Sequence, residues 1–469
     1  MPTYIMGAII TLSLLAILLL YLGLFKARTA LLPVTLAGLA LAVGFEWYGW
    51  DQVAVPQYSG MVLFDRYAIA FSILCIFIAG LVLSLSKAYF KAISENVAEY
   101  YALILFSLVG ALLVCSYHNF AILFIGIEVM SVALYILVGI RKRDRLSNEA
   151  ALKYFLMGAF STGFLLFGIT LMYGATGSFD LGELQRYVRT TPDHQISPLF
   201  FGGILLMLVG LCFKVGAAPF HFWTPDVYDG SPILITAYMS TVVKVASFAG
   251  FLRLFSMVMV PLDSFWEPLL LTIAIITLFV GNISALVQSS FKRMLAYSSI
   301  AHAGYMLFAI LSIGTLSPAA ILTYGLAYSL ASVVAFAALI LVKRQIGTDQ
   351  FESFNGLAKQ NPFLAFVLTV AMLSLAGIPL TAGFIGKFMM FGRVMESYHT
   401  LLLVLAAVNA VIGVFYYLRV VVHLYFKSAD VEADSSSIKV PLNFQIIFTV
   451  SILLTLAVGI YPDWLINLL

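Results

Sequence analysis

Long apolar runs succeed one another along nearly the whole chain. They lie approximately at residues 4–24, 30–48, 66–86, 99–117, 119–140, 151–174, 199–219, 231–257, 267–289, 295–315, 317–342, 362–395, 398–425 and 441–467. A bilayer core is about 30 Å thick and a helix rises about 1.5 Å per residue, so about 20 residues cross it. Lipid offers no partners to backbone amides, which restricts spanning segments to helices or closed barrels. Barrel strands alternate apolar and polar residues, and these runs do not. The fold class is therefore all-α, a polytopic membrane protein with about 14 transmembrane helices. Composition agrees: 62% of the 469 residues are hydrophobic and 10% charged, where a soluble domain carries about a quarter charged.

The connections assign an orientation. One alternating set of loops carries Lys26 and Arg28, Lys87 and Lys91, and Arg141, Lys142, Arg143 and Arg145. Its later members hold Lys292 and Arg293, then Lys343, Arg344 and Lys359, then Lys427 and Lys439. The opposite loops hold chiefly Arg186 and Arg189. Basic loops stay cytoplasmic, so fourteen spans place both termini on the opposite, outer side. The first run lacks a basic leader and reads as a first span. The longest polar connections, 175–198 and 426–440, are too short to fold alone, and DSSSIK, Asp434 to Lys439, reads as a flexible loop. A net charge of +3 without a long basic run gives no footprint for nucleic acid. Cys75, Cys115 and Cys212 lie in apolar segments with no paired spacing and read as small buried hydrophobes.

A few ionisable residues fall where lipid is expected. Glu128 lies in FIGIEVMSVAL, Lys214 in LCFKVGAAPFHFWTPD, Lys244 in STVVKVASFAG and Lys387 in GFIGKFMMFG. His302 lies in SSIAHAGYM. Arg253 and Arg419 sit nearer span ends, where a long side chain can snorkel. A charge at the bilayer centre costs roughly 2.5–3.5 kcal/mol, so four unpaired ones would cost on the order of 10–14 kcal/mol. Such groups must face one another, a polar cavity or water. Interhelical glue explains a single buried pair, but one acid cannot partner three lysines on three segments. Desolvation and neighbouring cations weaken a lysine's hold on its proton, and a nearby carboxylate strengthens it. A row of such groups with a histidine has the chemistry of a proton relay.

Two of these segments are interrupted. Gly216 and Pro219 follow Lys214, whereas Gly377 and Pro379 precede Lys387 in SLAGIPLTAGFIGKF. Proline removes a helix donor and glycine loosens the backbone, and in membranes such breaks line protein or wet cavities. The reversed order of lysine and proline suggests an inverted repeat. Within a single membrane domain over 1–469, residues 1–98 would hold the first three helices. Residues 99–257 (segments 4–8) and 267–425 (segments 9–13) would form two inverted five-helix repeats, each with a broken helix, and 441–467 the last helix. His302 lies between the two lysine-bearing halves. His221 beside Trp223 reads as an anchor or cap, and Tyr297 and Tyr305 as possible channel hydroxyls.

FKVGAAPF followed by HFWTPDVYDGSP, His221 to Pro232, resembles the broken seventh helix of the antiporter-like membrane subunits of respiratory complex I, NADH-quinone oxidoreductase. Supporting stretches are EAALKYFLMGAFSTGFLLFGI from Glu149, KRMLAYSSIAHAGYM from Lys292 and SLAGIPLTAGFIGKF from Ser374. The resemblance covers most of the chain and is closest to the subunit N branch. Subunit M usually reads HTWLPDAH here and has a glutamate in the twelfth helix, where this chain has Lys387. Subunit L continues into a lateral helix. Many subunit N sequences have a second proline where this chain has Leu234.

The resemblance implies a proton-translocating membrane subunit, part of a translocase enzyme but without redox chemistry of its own. Flavin, iron–sulfur clusters and quinone would belong to other subunits, with no cofactor or metal on this chain. The partners would be other membrane subunits, especially neighbouring antiporter-like ones, and the lipid bilayer. The resemblance pairs Glu128 with Lys214, places Lys244 and His302 on a central water-linked axis, and leads from Lys387 toward the exit. The nearest alternatives are the large subunit of a multi-subunit cation/proton antiporter and a membrane-bound hydrogenase subunit. A stand-alone transporter of the major-facilitator type is opposed by these motifs. A scaffold subunit would tolerate neutral replacement of the four buried charges.

Overall fold

The computed structural model describes residues 6–52, 54–86, 89, 97–396, 400–428 and 438–469. Lys87, Lys91 and the 434–437 part of DSSSIK lie outside them. Among the described residues the chain is helical, with isolated β-bridges and no β-strand.

Helices α1 (Gly7–Leu24), α2 (Arg28–Tyr48) and α3 (Arg66–Ser84) open the chain, followed by α4 (Ala98–Ser116), α5 (Phe120–Val138) and the long α6 (Arg145–Thr176). The polar connection at 175–198 contains α7 (Leu181–Thr190), capped by Asp180, whose carboxylate accepts from the Gly182 and Glu183 amides. Leu181, Leu184 and Val188 bury one side of it, so amphipathic spacing rather than length lets this segment fold.

Next come α8 (Pro198–Val215) and the short α9 (Trp223–Gly230), then a helical run from Ile233 to Leu286. That run comprises α10 (Ile233–Tyr238), a π-helical turn at Met239–Val243, α11 (Lys244–Leu254), a second π-turn at Phe255–Met259 and α12 (Asp263–Leu286). The second half holds α13 (Phe291–Met306), α14 (Phe308–Leu311), α15 (Ser317–Ile346), α16 (Leu357–Gln360), α17 (Pro362–Ala376), α18 (Ala382–Glu396) and α19 (Thr400–Tyr425). Finally, α20 (Leu442–Ile460) and α21 (Asp463–Ile466) close the chain.

Twelve described helices are long and apolar enough to cross a membrane, against the 14 expected. The difference has two physical sources. Ile233–Leu286 counts as one span of 54 residues, yet it does not run straight. Phe255 and Trp266 would lie about 16 Å apart along a straight helix, but their ring centroids are 4.8 Å apart. The chain folds back through the turn at Val260–Leu262, and Trp266 Nε1 donates to Met259 O at 2.8 Å across it. The other source is the break between α17 and α18, which leaves two helices each too short to count.

Burial separates centre from rim. Every residue of the most apolar window of α15 is buried, whereas only 33% of the corresponding windows of α6 and α19 is. A helix that is apolar all round needs protein on every side, and α15 has it from α3, α10, α17, α18 and α20. Small residues such as Ala319, Ala327, Ala331, Ala335 and Ala338 let these neighbours approach.

A feature recurs in the two halves. Phe120 N donates to Phe179 O at 2.9 Å and Leu181 N to His118 O at 3.0 Å. Likewise Phe291 N donates to Asp349 O at 2.8 Å and Phe351 N to Ser289 O at 3.1 Å. The same pair of loop bonds therefore pins the starts of α5 and α13 to the segments after α6 and α15.

Candidate functional site

Helix α8 starts at Ser197, whose hydroxyl accepts from Leu199 N at 3.3 Å, and has Pro198 in its first turn. Proline is tolerated there because its missing donor would have no helical partner. The helix ends at Gly216, whose φ of 74° suits glycine. The chain then leaves orphan carbonyls and amides inside the protein. Trp223 Nε1 donates to Phe213 O at 3.0 Å, and the Thr277 hydroxyl of α12 accepts from Ala218 N at 2.9 Å. His221 contributes its carbonyl, which accepts from Thr224 N at 2.8 Å.

Lys214 lies in the last turn of α8 and donates from Nζ to the Ser131 hydroxyl of α5 at 2.5 Å. Glu128 stands one turn before Ser131 on that helix and is near enough for its charge to act on Lys214. Its Oε1 is buried without a hydrogen-bond partner. The direct ion pair implied for Glu128 and Lys214 is replaced here by a hydroxyl contact.

The second break is built differently. Helix α17 starts at Asn361, whose side chain accepts from Leu364 N at 2.9 Å, again with proline next, and ends at Gly377 with φ 81°. Its last carbonyls are capped by the lysine itself: Lys387 Nζ, from α18, donates to Leu375 O and Ala376 O, both at 2.9 Å. A cation suits a helix C-terminus, where carbonyl dipoles leave partial negative charge. Lys387 Nζ also sits 5.2 Å from the Tyr305 ring centroid.

Between the two breaks lie Lys244 and His302. Lys244 follows the first π-turn, a distortion often found at functional positions. Its ammonium donates to both the carbonyl and the hydroxyl of Ser299 on α13 and stands 5.5 Å from the Tyr328 ring centroid. His302 lies one turn beyond Ser299. Its Nδ1 is 2.7 Å from the Tyr324 hydroxyl and its Nε2 2.9 Å from that of Tyr417, which also bonds the Ser298 hydroxyl. A cavity of about 10 Å³ opens among His302, Tyr324, Tyr328, Ser374 and Leu375. That is the order of volume one water requires. The void joins the histidine to the end of α17, whose carbonyls Lys387 holds.

Of the five expected site residues, Lys244 and His302 thus share one hydroxyl-rich patch with the second break. Glu128 and Lys214 form a separate group around Ser131. Sequence reasoning missed the hydroxyls, Ser131, Ser299, Tyr324 and Tyr417, because nothing in their spacing distinguishes them from ordinary helix residues. One basic residue also needs correction. Lys292, read as a cytoplasmic loop residue with Arg293, lies in the first turn of α13 and is only 2% exposed. Arg253 reaches Asp65, the cap at the start of α3, rather than lipid headgroups or solvent. It is buried and paired with Asp65 at 2.6 and 3.2 Å, and its guanidinium lies 4.8 Å from the Tyr67 ring centroid. The three cysteines are buried and free, and among the described residues no group of three or more His, Cys, Asp or Glu could hold a metal.

Paired interrupted helices with intramembrane lysines define an antiporter-like membrane protein. Residues 117–413 match the family described as NADH:quinone oxidoreductase/Mrp antiporter, TM. NADH-quinone oxidoreductase subunit N of Flavobacterium psychrophilum is 37% identical over 99% of this chain and 100% of that protein. Subunit N of Cytophaga hutchinsonii is 38% identical over 99% of each chain. A chain of respiratory complex I from Thermus thermophilus superposes with a TM-score of 0.83 at 34% identity, covering 98% of both chains. The Mrp complex from Dietzia sp. DQ12-45-1b shares the fold, with a TM-score of 0.86 at 18% identity over 100% of this chain and 96% of that one. The chain therefore belongs to the NADH:quinone oxidoreductase/Mrp antiporter family and, within it, to the subunit N group.

Proposed function

We propose that the chain is the proton-translocating subunit N of a bacterial NADH-quinone oxidoreductase, working beside other membrane subunits and carrying protons through Glu128, Lys214, Lys244, His302 and Lys387. Full-length identity to subunit N proteins supports the assignment to the complex. The observation that carries the relay is the convergence of Lys244 and His302 on the α13 hydroxyl patch, which adjoins the carbonyls held by Lys387. Flavin, iron–sulfur clusters and quinone are assigned to other subunits. The basic loops support a cytoplasmic face and a periplasmic N-terminus in the cell inner membrane.

The two sets of loop bonds, and two proline-started helices ending on left-handed glycines, support five-helix repeats over 99–257 and 267–425. An odd number of helices per repeat inverts the second with respect to the first. Quinone reduction elsewhere in the complex alters charge in a neighbouring subunit and moves Glu128 relative to Lys214. An ammonium that loses its carboxylate partner yields its proton more readily. The proton passes to Lys244, crosses the Ser299–His302 patch and leaves past Lys387 on the periplasmic side.

Two measurements test this. The tagged chain, gently extracted, should co-migrate with NADH:quinone reductase activity on a native gel. Co-migration only with small membrane proteins lacking that activity would favour a cation/proton antiporter. A Lys214→Ala complex should pump fewer protons per electron, and a wild-type ratio would remove Lys214 from the path.

A further inference from the structure

Lys292 is a buried cation that the relay does not use. Its ammonium donates to Asp229 O and Ser231 O, both at 2.6 Å, and so bridges the interruption between α9 and α10. Above it, on the basic-loop side, lies a charged rim. Arg293 pairs with Asp226 at 3.4 Å and Asp229 at 3.3 Å, Lys153 with Asp226 and Glu149 at 2.7 Å each, and Lys343 with Asp349 at 2.6 Å. The charges that act on Lys292 come from Asp229 on α9, Lys343 on α15, Arg141 after α5 and Asp349 before α16.

Below Lys292, the same face of α13 carries Ser299 and then His302. Spacings of seven and ten residues return to one side of a helix, and seven residues rise about 10.5 Å. Buried hydroxyls occupy that interval. The Tyr228 phenol, from the residue next to Asp229, lies against Ser299. The Ser231 hydroxyl bonds that of Thr236 at 2.6 Å. Tyr328 lies against Ser299, Ser240 and Ser332. Lys244 donates to Ser299 from the other side.

We propose that Lys292 is the proton intake of the second half, the group that takes protons from the basic-loop side and passes them to Lys244 and His302. The inference rests on the relay proposed above. In the step, a proton from water at the charged rim binds the neutral Lys292 amine. The resulting ammonium gives a proton to the hydroxyls around Tyr228 and Ser299, which pass one on to the neutral Lys244 amine. Lys292 returns to the neutral amine, and no other bond changes.

The alternative is a structural clamp on two carbonyls, and arginine separates the two roles. A guanidinium can donate to both carbonyls and keep the charge, but it does not deprotonate in proteins. Lys292→Arg and Lys292→His should be placed in the assembled complex, with NADH-driven proton uptake and electron transfer followed together in vesicles. The expected result is a several-fold loss of protons moved per electron in Lys292→Arg. Lys292→His should restore pumping with its pH optimum moved toward the acid side, because imidazole exchanges protons near pH 6.5. A wild-type ratio in Lys292→Arg would overturn the proposal. So would equal impairment of both variants with an unmoved pH profile, the signature of a clamp. If the arginine variant fails to assemble, the profile of Lys292→His decides alone. Lys214→Ala in the same vesicles keeps the readings apart: a wild-type ratio there defeats the relay, whereas impairment there beside a wild-type Lys292→Arg defeats only the intake.

Discussion

The two interrupted helices begin alike and finish differently. Each starts with a polar cap followed by proline, and each ends on a glycine at positive φ, 74° at Gly216 and 81° at Gly377. The helices they face are also matched. Glu128 follows Phe120 at the same spacing as Ser299 follows Phe291, and Ser131 corresponds in the same way to His302. At the first break the freed backbone is satisfied by uncharged partners, Trp223 and Thr277, and Lys214 turns away toward Ser131. At the second, Lys387 is itself the cap. A lysine that holds no carbonyl can lose its proton without loosening the helix. A lysine that caps one keeps N–H donors as a neutral amine but gives up the charge-assisted bonds, so proton release from Lys387 weakens its hold on the helix end.

The comparison can be broken most sharply at the residues that follow the glycines. A Cβ at Gly383 would stand 1.8 Å from Ser374 O. Gly383→Ala should therefore exceed the usual overpacking cost of about 1–3 kcal/mol and prevent assembly. The residue at the same distance beyond Gly216 is Phe222, which is 66% exposed. Phe222→Ala should stay within about 0.5 kcal/mol of wild type. The amount of subunit in the purified complex reads both, and normal assembly of Gly383→Ala would show that the second break is not closely packed.

Lys387→Met and Lys214→Met come next. Both should lower the protons pumped per electron, but only the first strands two buried carbonyls, at about 1–3 kcal/mol for each unsatisfied group. The thermal midpoint of the complex should fall clearly for Lys387→Met and little for Lys214→Met. Equal shifts would mean that the two lysines play the same structural part. Thr277→Val sharpens the other side. It removes the acceptor for Ala218 N and should cost about 1–3 kcal/mol, felt at the first break alone. Unaltered stability would mean that another group satisfies that amide.

How much of this was legible follows from what each signal depends on. Apolar length alone marked the spans, and a glycine beside a proline marked both breaks, because those residues change what the backbone can do locally. Fourteen segments became twelve long helices among the described residues because the turn at Val260–Leu262 stays helical and α17 and α18 are each short. Lys214, Lys244 and Lys387 stood out because charge within an apolar run is costly. Lys292 did not, since it sits beside Arg293 at the start of a run and resembles a loop residue. Only the fold brings Asp229 and Ser231 over it. The partner of Arg253 was hidden for a similar reason: Asp65 lies far away in sequence. Ser131 and Ser299 became visible only once helices were placed against one another.

The smallest expected effect compares one rim carboxylate from each half. Burial pushes the Asp226 carboxyl up, but the hydrogen bond and charge of Lys153 and the charge of Arg293 outweigh it and hold the group below its ordinary value. Asp349 is held down in the same way, against its burial, by Lys343 with help from Lys292. A carboxyl depressed in the folded state stabilises above its unfolded pKa, about 3.9. That contribution is lost as pH falls through the lower folded value. The gap in thermal midpoint between wild type and Asp349→Asn should therefore be constant from pH 8 to about pH 5 and close below about pH 4. The side chain of Asp226 is 41% exposed against 15% for Asp349. Solvent screening should keep the destabilisation by Asp226→Asn within about 0.2–1 kcal/mol, and added salt should shrink it further. A gap that widened on acidification would have the wrong sign for a depressed carboxyl. A larger effect at Asp226 than at Asp349 would place the stronger electrostatic lock at the first break instead of beside the second half's entry.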